Sequence, residues 1–336
     1  MMWYQEIGPK QDVVLSTRIR LARNVSGIPF SPKMTAEDAN TLWEKAVSAS
    51  ERMGGYLTAQ KLSDLSPIAR QVLVEDHLLS RELLKKPLSC GLLLSSDKRV
   101  SVMVNEEDHL RIQAVVAGFD PAGALDLANR VDDALEEALP FAFDPEWGYL
   151  TACPTNMGTG LRVSIMVHLP GLTRMRQMQQ LTQSLTKIGL TVRGIYGEGT
   201  EASGAIYQIS NQITLGVTEA EILEKVTSAM NQVIKLEHTA TRELKEQYEE
   251  TLSDSVYRAF GILRYARKLS SEEFMKLYSE VRFGMNLGIL PIEDTPELRA
   301  LWVTVQPAHL MQEQELSPDA RDHARAQAVR TVLEVL

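Results

Sequence analysis

Residues 12–25 read DVVLSTRIRLARNV, a run in which β-branched and apolar residues alternate with polar ones. Alternation with a period of two predicts a β-strand whose side chains point to opposite faces. Arg18 and Arg20 then share one face, about 7 Å apart. Two guanidinium groups at that spacing suit neighbouring phosphates of a nucleotide. A solvated sheet face that happens to carry two arginines is the equally weighted alternative.

Further extended segments surround this strand and indicate a sheet. Strands are predicted, from β-branched residues and stretches of alternation, at 91–117, 161–170, 190–196 and 205–213. Helical patterns lie between them at 35–53, 121–139 and 172–188. The turn SSDKR at 95–99 joins two extended runs directly, which requires antiparallel pairing. The predicted fold class is therefore α+β, with an antiparallel β-sheet flanked by helices.

The pattern becomes helical after Gly216 and stays helical almost to the last residue. It begins with TEAEILEKVTSAMNQVIKLEHTATRELKEQYEE, and further helices are predicted at 254–268, 271–287 and 317–334. Ser317 can cap the last helix, and Pro318 fits its first position because no N–H is needed there. We therefore predict two domains, an α+β domain at 1–237 and an all-helical domain at 238–336.

Composition excludes several classes of protein. The 44 Asp and Glu residues outnumber the 35 Lys and Arg residues, and the formal net charge of −9 argues against a nucleic-acid binder. Affinity for phosphate must then come from individually placed arginines. Cys90 and Cys153 are the only cysteines, too few for a disulfide framework or a cysteine-rich metal site. With no signal-peptide pattern and no apolar run of membrane-spanning length, we expect a cytoplasmic protein without membrane contact.

Three further segments carry polar residues suited to chemistry. Arg162 alternates with apolar residues in the strand at 161–169, behind a glycine-containing loop at 153–160. Such a loop is typical of a simple turn, or brings backbone N–H groups to an anion. The segment NEEDHLR at 105–111 clusters three acids, which indicates a solvated turn or a carboxylate that handles a proton or a cation. RGIYGEG at 193–199 is a strand end that opens into a glycine-rich loop.

Together these segments resemble the phosphagen (guanidino) kinase superfamily, whose members phosphorylate a guanidinium nitrogen with ATP. The motifs that carry the resemblance are STRIRLARN at 16–24, VNEEDHLRIQ at 104–113 and CPTNMGTGLR at 153–162, in family order. The resemblance implies that residues 1–237 form a phosphagen-kinase-like catalytic domain.

Within the superfamily, the bacterial protein arginine kinase branch is the most similar. Members that act on free arginine or creatine carry a helical domain ahead of the STRIR-like strand, whereas here that strand begins almost at once and a helical region follows the catalytic one. RDHARA at 321–326 resembles the RDxxRA motif with which this branch binds phosphoarginine as an allosteric signal. Arg321, Asp322, Arg325 and Ala326 are the matching residues, and the two arginines share a helix face.

The resemblance also implies a set of site residues. The arginines expected around the ATP phosphates are Arg18, Arg20, Arg111, Arg162 and Arg193, with His77 at the nucleotide. Neighbouring residues expected in the ATP site are Ser16, Thr17, Ile19, Val163, Ser164, Ile165, Met166, Gly194, Ile195, Tyr196, Gly197 and Glu198. Glu107 matches the catalytic base, Glu198 a second carboxylate that holds the acceptor guanidinium, and Cys153 the active-site cysteine. Mg²⁺ is expected to be held by the nucleotide phosphates, so no protein metal ligand is predicted.

The implied function is ATP-dependent phosphorylation of arginine side chains in proteins, with phosphoarginine as an allosteric regulator. The family implies as partners protein substrates with exposed arginines, among them stress repressors and damaged proteins, a Clp chaperone-protease that reads the mark, a zinc-finger activator protein and a second copy of the chain. Two alternatives to this function remain open at the level of sequence. One is a free-arginine kinase, and the other is a catalytically silent adaptor that binds phosphoarginine.

Overall fold

An antiparallel sheet lies at the centre of the computed structural model, which describes residues 1–85, 90–194 and 203–334. Within these ranges the sheet has eight strands in the order β2-β3-β4-β5-β1-β8-β10-β9, and every pairing is antiparallel. In chain order the strands, including a separate short hairpin of β6 and β7, are β1 Val14–Arg23, β2 Leu57–Lys61, β3 Gly91–Ser95, β4 Val100–Val104, β5 Leu110–Ala117, β6 Phe143–Asp144, β7 Gly148–Tyr149, β8 Leu161–His168, β9 Leu190–Gly194 and β10 Ile206–Asn211.

The helices account for most of the remaining chain. They are α1 Ala36–Glu51, α2 Pro67–Glu75, α3 Pro121–Glu136, α4 Pro170–Arg174, α5 Met178–Lys187, α6 Glu219–Tyr265, α7 Ser271–Asn286, α8 Pro296–Thr304 and α9 Pro318–Glu334. The α+β prediction is thus confirmed, as are the cap of α1 by Thr35 and the cap of α9 by Ser317. No helix among the described residues has the length and apolarity to cross a membrane.

Strand β1 occupies the middle of the sheet, and its register brings the polar residues of several strands onto one face. Arg18 lies opposite Ser164 of β8, and Arg20 lies opposite Arg162 of β8 and Gln113 of β5. Because side chains alternate along each strand, residues in register share a face across neighbouring strands. The sheet therefore has one face rich in arginine, which we call the arginine face.

The opposite face is apolar and forms the main core. Ile19, Leu21 and Val163 are fully buried there against helices α1, α3, α5 and the first half of α6. Arg23 is the exception on this face, with a side chain only 1% exposed. It donates to Asp132 at 2.7 Å and lies 3.6 Å from the ring centre of Tyr149, so this arginine is structural.

The helical C-terminal region packs onto the arginine face. A second hydrophobic cluster joins Met166 of β8, Val115 of β5 and Trp3 to apolar residues of helices α6 to α9. Helix α6 continues past residue 237, where the domain boundary is predicted, and it has a kink further on at Tyr248. The domain boundary at residue 237 therefore stays a prediction. The helix predicted separately at 254–268 is the end of α6.

Three of the described helical segments differ from the sequence-based expectation. The helix predicted at 172–188 is divided into α4 and α5, because Arg176 adopts a φ of 57°, which a right-handed helix does not accommodate. Helices α2 and α8 were not predicted. Their starts are nevertheless regular, since Ser66 and Thr295 cap them and a proline occupies the first turn of each.

Candidate active site

A cavity of about 940 Å³ opens on the arginine face between the sheet and the helical region. All five predicted phosphate-binding arginines line it, namely Arg18, Arg20, Arg111, Arg162 and Arg193. Ser271, Met275 and Gln306 of the helical region form part of the opposite wall. The volume lies in the range typical of nucleotide-sized ligands.

The arginines in this cavity repel one another. Burial and the charges of Arg111 and Arg162 lower the pKa of Arg18 to about 9, and burial with the same neighbours and Arg18 holds the pKa of Arg20 well below its usual range. Burial, Arg193 and Arg111 lower the pKa of Arg162 as well. A guanidinium does not give up its proton in proteins. The lowered pKa values therefore indicate that positive charge is concentrated unfavourably in this cavity. A bound polyanion relieves that cost.

Unused hydrogen-bond donors indicate the same kind of ligand. The Nε atoms of Arg20 and Arg162 are buried and have no hydrogen-bond partner within the described ranges. Two further donors of the cluster are held by neutral groups, since Arg18 Nη2 donates to Gln208 at 2.6 Å and Arg20 Nη2 to Ser164 at 3.3 Å. Buried donors normally have partners. The unpaired Nε donors of Arg20 and Arg162, the excess positive charge and the cavity volume together fit the triphosphate of ATP.

His77 lines the cavity in an unusual backbone conformation. Its φ is 62°, and its carbonyl accepts a hydrogen bond of 2.7 Å from Gln113. The ring packs against those of Trp3 and Trp302, and each pair of the three rings has a centroid distance of 5.8 Å. Burial and Arg18 lower the pKa of His77 to about 3, so the ring is neutral. Its buried Nε2 lacks a hydrogen-bond partner among the described residues and can serve a ligand.

A smaller cavity of about 80 Å³ adjoins the large one and contains the acidic segment. Glu106, Glu107 and Asp108 line it, and it shares Arg20, Arg111 and Arg162 with the large cavity. The three shared arginines therefore form the boundary between a cationic pocket and a carboxylate-bearing one. Any group that passes between the two cavities must cross this boundary.

The two neighbouring glutamates differ in their surroundings. Glu106 is buried and forms an ion pair with Arg111, and its other oxygen accepts the backbone N–H of Glu107 at 3.2 Å. Burial by itself raises the pKa of Glu106, but Arg111, hydrogen bonds from Ser80 and Glu107, and Arg20 together lower it. Glu107 is exposed. Its carboxylate is therefore accessible to a ligand in the small cavity, and its role as the catalytic base stays a prediction.

Asp108, which was not predicted as a site residue, connects the loop that carries Glu107 to the loop that carries Cys153. Its Oδ1 accepts from Asn24 Nδ2 and from the backbone N–H of Ala152, both at 2.7 Å, and its Oδ2 accepts from Asn156 Nδ2 at 3.1 Å. The side chain is buried. No local pattern distinguishes it from its acidic neighbours, because its partners come from distant segments.

Cys153 lies beside the same arginines. Its Sγ is 3.1 Å from Thr155 Oγ1, and Cys153, like Glu107, acts to raise the pKa of Arg162 against the dominant lowering by burial. Cys153, Glu107 and Arg162 are thus brought together. Glu198, with Ile195, Tyr196 and Gly197, lies outside the described residues.

Several predicted ATP-site residues contribute no side chain to the cavity. Ser16, Ser164 and Met166 lie on the arginine face, and Gly194 lines the cavity. By contrast, the alternation of β1 and β8 turns the side chains of Thr17, Ile19, Val163 and Ile165 to the apolar face, where they are fully buried. Contact of these four residues with a nucleotide would have to come from their backbone, and their place in the ATP site stays a prediction.

The arginines of RDHARA are not equally open to a ligand. Arg321 is half-buried, but Arg325 is only 2% exposed. Arg325 Nε donates to the Val305 carbonyl at 3.0 Å and Nη1 to Leu269 O at 2.8 Å and Asp322 Oδ1 at 2.7 Å, while Ala326 is buried in the helical core. The two guanidinium groups are close enough for Arg321 to act on the pKa of Arg325. Arg325 therefore already serves internal carbonyls, and the binding of phosphoarginine at this motif stays a prediction.

Comparison with known proteins supports the same interpretation over the whole chain. The family described as ATP:guanido phosphotransferase, C-terminal catalytic domain, matches residues 38–240, and the family described as Protein-arginine kinase McsB C-terminal domain matches residues 249–336. The protein-arginine kinase of Halothermothrix orenii is 44% identical, covering 99% of this chain and 96% of its own. That of Bacillus subtilis is 43% identical, covering 99% of this chain and 93% of its own.

Two proteins whose solved structures have a similar fold are kinases named for guanidino compounds. The duplicated taurocyamine kinase of Schistosoma mansoni with bound transition state analog components has a TM-score of 0.64 and 28% identity, over 78% of this chain and 38% of its own. A lombricine kinase has a TM-score of 0.62 and 26% identity over 70% of each chain. Because both domain families and the full-length relatives agree, the chain belongs to the protein-arginine kinase family, a branch of the ATP:guanido phosphotransferases.

Proposed function

We propose that this protein transfers the γ-phosphoryl group of ATP to arginine side chains of other proteins, giving N-phosphoarginine. The observation that carries the proposal is the boundary formed by Arg20, Arg111 and Arg162, which the large cationic cavity and the glutamate-lined cavity share. Phosphoryl transfer consists mainly of positioning and of stabilising charge on the transferred group. Fixed guanidinium groups between a donor pocket and an acceptor pocket suit that task.

On the donor side, the arginines hold the triphosphate and the neutral His77 contacts the nucleotide. The chain's own donors supply the binding, because Arg20 and Arg162 have buried Nε–H groups to offer. Mg²⁺ bound to the phosphates neutralises charge and orients the transferred group. Closure of the helical region over the cavity, through residues such as Gln306, excludes water from the reaction.

On the acceptor side, the chemical difficulty is that a guanidinium is protonated, with a pKa above about 12. Glu107 orients the acceptor nitrogen and accepts its proton as the N–P bond forms and the bond between the γ-phosphorus and the bridging oxygen of ADP breaks. We propose Glu198 as the second carboxylate that holds the acceptor. Cys153 contributes as a positioning and electrostatic group beside Arg162.

We propose protein arginine, not free arginine, as the acceptor because the named relatives are protein-arginine kinases and because Glu107 is exposed at the surface of its cavity. The proposed substrates are stress repressors and damaged proteins with exposed arginines. A Clp chaperone-protease reads the mark, a zinc-finger protein activates the kinase, and the chain forms a homodimer in the cytoplasm. Phosphoarginine regulates the enzyme at RDHARA, with Arg321 as the accessible arginine.

The test is a phosphotransfer assay with Mg-ATP, in which an unfolded arginine-rich protein and free arginine are offered in separate reactions. Products are read by mass spectrometry at neutral to alkaline pH, which preserves the acid-labile P–N bond. We expect phosphoarginine on the protein acceptor. Transfer mainly to free arginine would identify a small-guanidine kinase. No transfer, even with an activator protein present, would leave a phosphoarginine-binding adaptor as the function.

A further inference from the structure

A buried charged cluster joins the end of α2 to the turn that follows α8. His309 lies between two carboxylates, with Nδ1 2.9 Å from Glu75 Oε2 and Nε2 3.1 Å from Asp76 Oδ1. Glu75 also accepts the backbone N–H groups of Ala308 at 2.9 Å and of His309 at 3.0 Å. The three side chains are 5% to 10% exposed. None of these residues was singled out by its sequence pattern.

The geometry requires a protonated imidazole. Each ring nitrogen faces a carboxylate oxygen, so both must donate, and only the imidazolium has two N–H groups. Burial lowers the pKa of His309, but the hydrogen bonds and charges of Asp76 and Glu75 outweigh burial and raise the pKa to about 9. At neutral pH the cluster is therefore a charged bridge between two carboxylates.

The bridge connects two walls of the ATP cavity. Val74, Glu75 and His77 line the cavity on the α2 side, and Gln306 and Pro307 line it on the side of the turn. His77 directly follows Asp76 and holds a φ of 62°, a conformation that a non-glycine residue keeps only when its surroundings enforce it. The bridge holds Asp76 in place and therefore also holds the backbone at the N-terminal side of His77.

Other groups packed on the same elements complete the electrostatic surroundings. Tyr4 donates to Asp76 Oδ1 at 3.1 Å, and burial together with Asp76 raises the pKa of Tyr4. Arg325 Nε donates to the Val305 carbonyl in the same turn, and the charge of Glu75 acts to raise the pKa of Arg325. Arg18 and Arg81 act on His77. Of these groups, His309 alone connects the turn directly to both Glu75 and Asp76.

We propose that His309 is a positioning residue for nucleotide binding, whose imidazolium fastens the turn of residues 305–309 to the end of α2 and thereby holds His77 and both cavity walls in the ATP-binding arrangement. The inference deepens the proposed function and rests on its assignment of the large cavity to ATP. It assigns to the helical region a direct role in the affinity for ATP.

The proposal has a definite pH dependence. The pKa of His309 in the folded protein lies above the ordinary value near 6.5, so the bridge contributes fully below about pH 6.5 and is lost as the pH rises through about 9. Affinity for ATP should fall over the same range. The effect of His309 is read as the difference between wild type and His309→Gln, because the two proteins share every other charged group of the cavity.

The experiment measures the dissociation constant of Mg-ATP, and separately KM and kcat, for the full chain. His309→Gln removes the charge and one donor, and we expect its dissociation constant and KM for ATP to rise about tenfold at pH 7, with a much smaller change in kcat. His309→Lys, which restores the charge, should recover part of the affinity. The gap between wild type and His309→Gln should close above pH 9.

The matched control is His238→Gln. His238 pairs with Asp12 at 2.6 Å and also joins a C-terminal helix to the N-terminal segment, but it does not line the ATP cavity. We expect its affinity for ATP to equal that of wild type. A dissociation constant for His309→Gln within twofold of wild type in a folded protein, or an equal loss in His238→Gln, overturns the proposal.

A second variant keeps the test decisive if His309→Gln does not fold. Glu75→Gln preserves an acceptor for the backbone N–H groups of Ala308 and His309 but removes one negative charge, so we expect a smaller, same-direction loss of affinity. No loss of ATP affinity in a folded Glu75→Gln protein contradicts the bridge.

The binding measurement does not depend on phosphotransfer. If wild type binds ATP but makes no phosphoarginine, the proposed function fails while this inference is still judged by affinity. If wild type does not bind ATP, the inference fails.

Discussion

Arg162 illustrates how one residue serves both cavities. It faces Arg20 across the pair of β1 and β8, borders both cavities, and keeps a buried Nε–H without a partner in the described part of the chain. Burial and the positive charges of Arg193 and Arg111 lower its pKa, and the charges of Cys153 and Glu107 only partly oppose this. In the ligand-free protein the residue is therefore a source of repulsion, and with ATP bound it becomes a source of affinity.

Replacing Arg162 should separate stability from activity. We expect Arg162→Met to raise the thermal midpoint of the ligand-free protein by about 2 °C, because a repulsive charge is removed. Phosphoarginine formation should fall about a thousandfold, because a charge-stabilising donor is lost from the transferred group. Differential scanning calorimetry and the mass-spectrometric assay measure the two effects.

The control for Arg162→Met is Arg258→Met on α6. Arg258 is exposed, and among the residues that the structure describes it pairs only with Asp254, four residues earlier on the same helix. We expect it to change neither property by much, since exposed pairs contribute little. A destabilised Arg162→Met that retains activity would contradict the role of the arginine cluster.

At the scale of elements, two loops at the ends of strands carry the residues that we propose for the acceptor side. The β4–β5 loop carries Glu107, and the loop before β8 carries Cys153. Asp108 connects them by accepting from Ala152 N and Asn156 Nδ2, and it connects both to β1 through Asn24. The positions of Glu107 and Cys153 therefore depend on one buried carboxylate.

Removing this connection should impair catalysis more than nucleotide binding. We expect Asp108→Ala to lower kcat about a hundredfold, because small displacements of reacting groups are costly. The dissociation constant for ATP should stay within about twofold, since Asp108 does not line the large cavity. Asp108→Asn, which keeps an acceptor oxygen, should be less impaired. Steady-state kinetics and nucleotide titration give the two quantities.

The control for Asp108 is Asp97→Ala in the β3–β4 turn. Asp97 also accepts two hydrogen bonds within a loop, from Ser95 Oγ at 2.6 Å and Arg99 N at 3.1 Å, but outside both cavities. It should leave kcat unchanged. A parallel loss of ATP affinity in Asp108→Ala would show that the residue supports the whole sheet and not the acceptor side.

At the scale of the molecule, the helical region forms part of the large cavity that we propose for ATP. Ser271, Met275 and Gln306 line this cavity, and Met166 of the sheet belongs to the same hydrophobic cluster as α7, α8 and α9. Movement of the helical region would therefore change the proposed nucleotide site. The proposed regulation at α9 has a physical route to this site through the turn of residues 305–309, which Arg325 contacts and His309 joins to Glu75.

Sequence patterns are informative where a local rule applies. Alternation along β1 correctly places Arg18 and Arg20 on one face and Ile19 in the core, and the turn at 95–99 correctly predicts antiparallel pairing. Contacts between distant segments follow no such rule. The difference between Glu106 and Glu107, the anchoring role of Asp108 and the burial of Arg325 each depend on residues far away in sequence.

The most direct test of the account compares Glu107→Gln with wild type in both ATP binding and phosphotransfer. Because Glu107 belongs to the acceptor cavity alone, the account predicts a dissociation constant for ATP within about twofold of wild type and a fall of about a thousandfold in phosphoarginine formation. Glu44→Gln, an exposed residue of α1, should match wild type in both. Phosphotransfer by Glu107→Gln within tenfold of wild type, or an equal loss of ATP binding, would contradict the account.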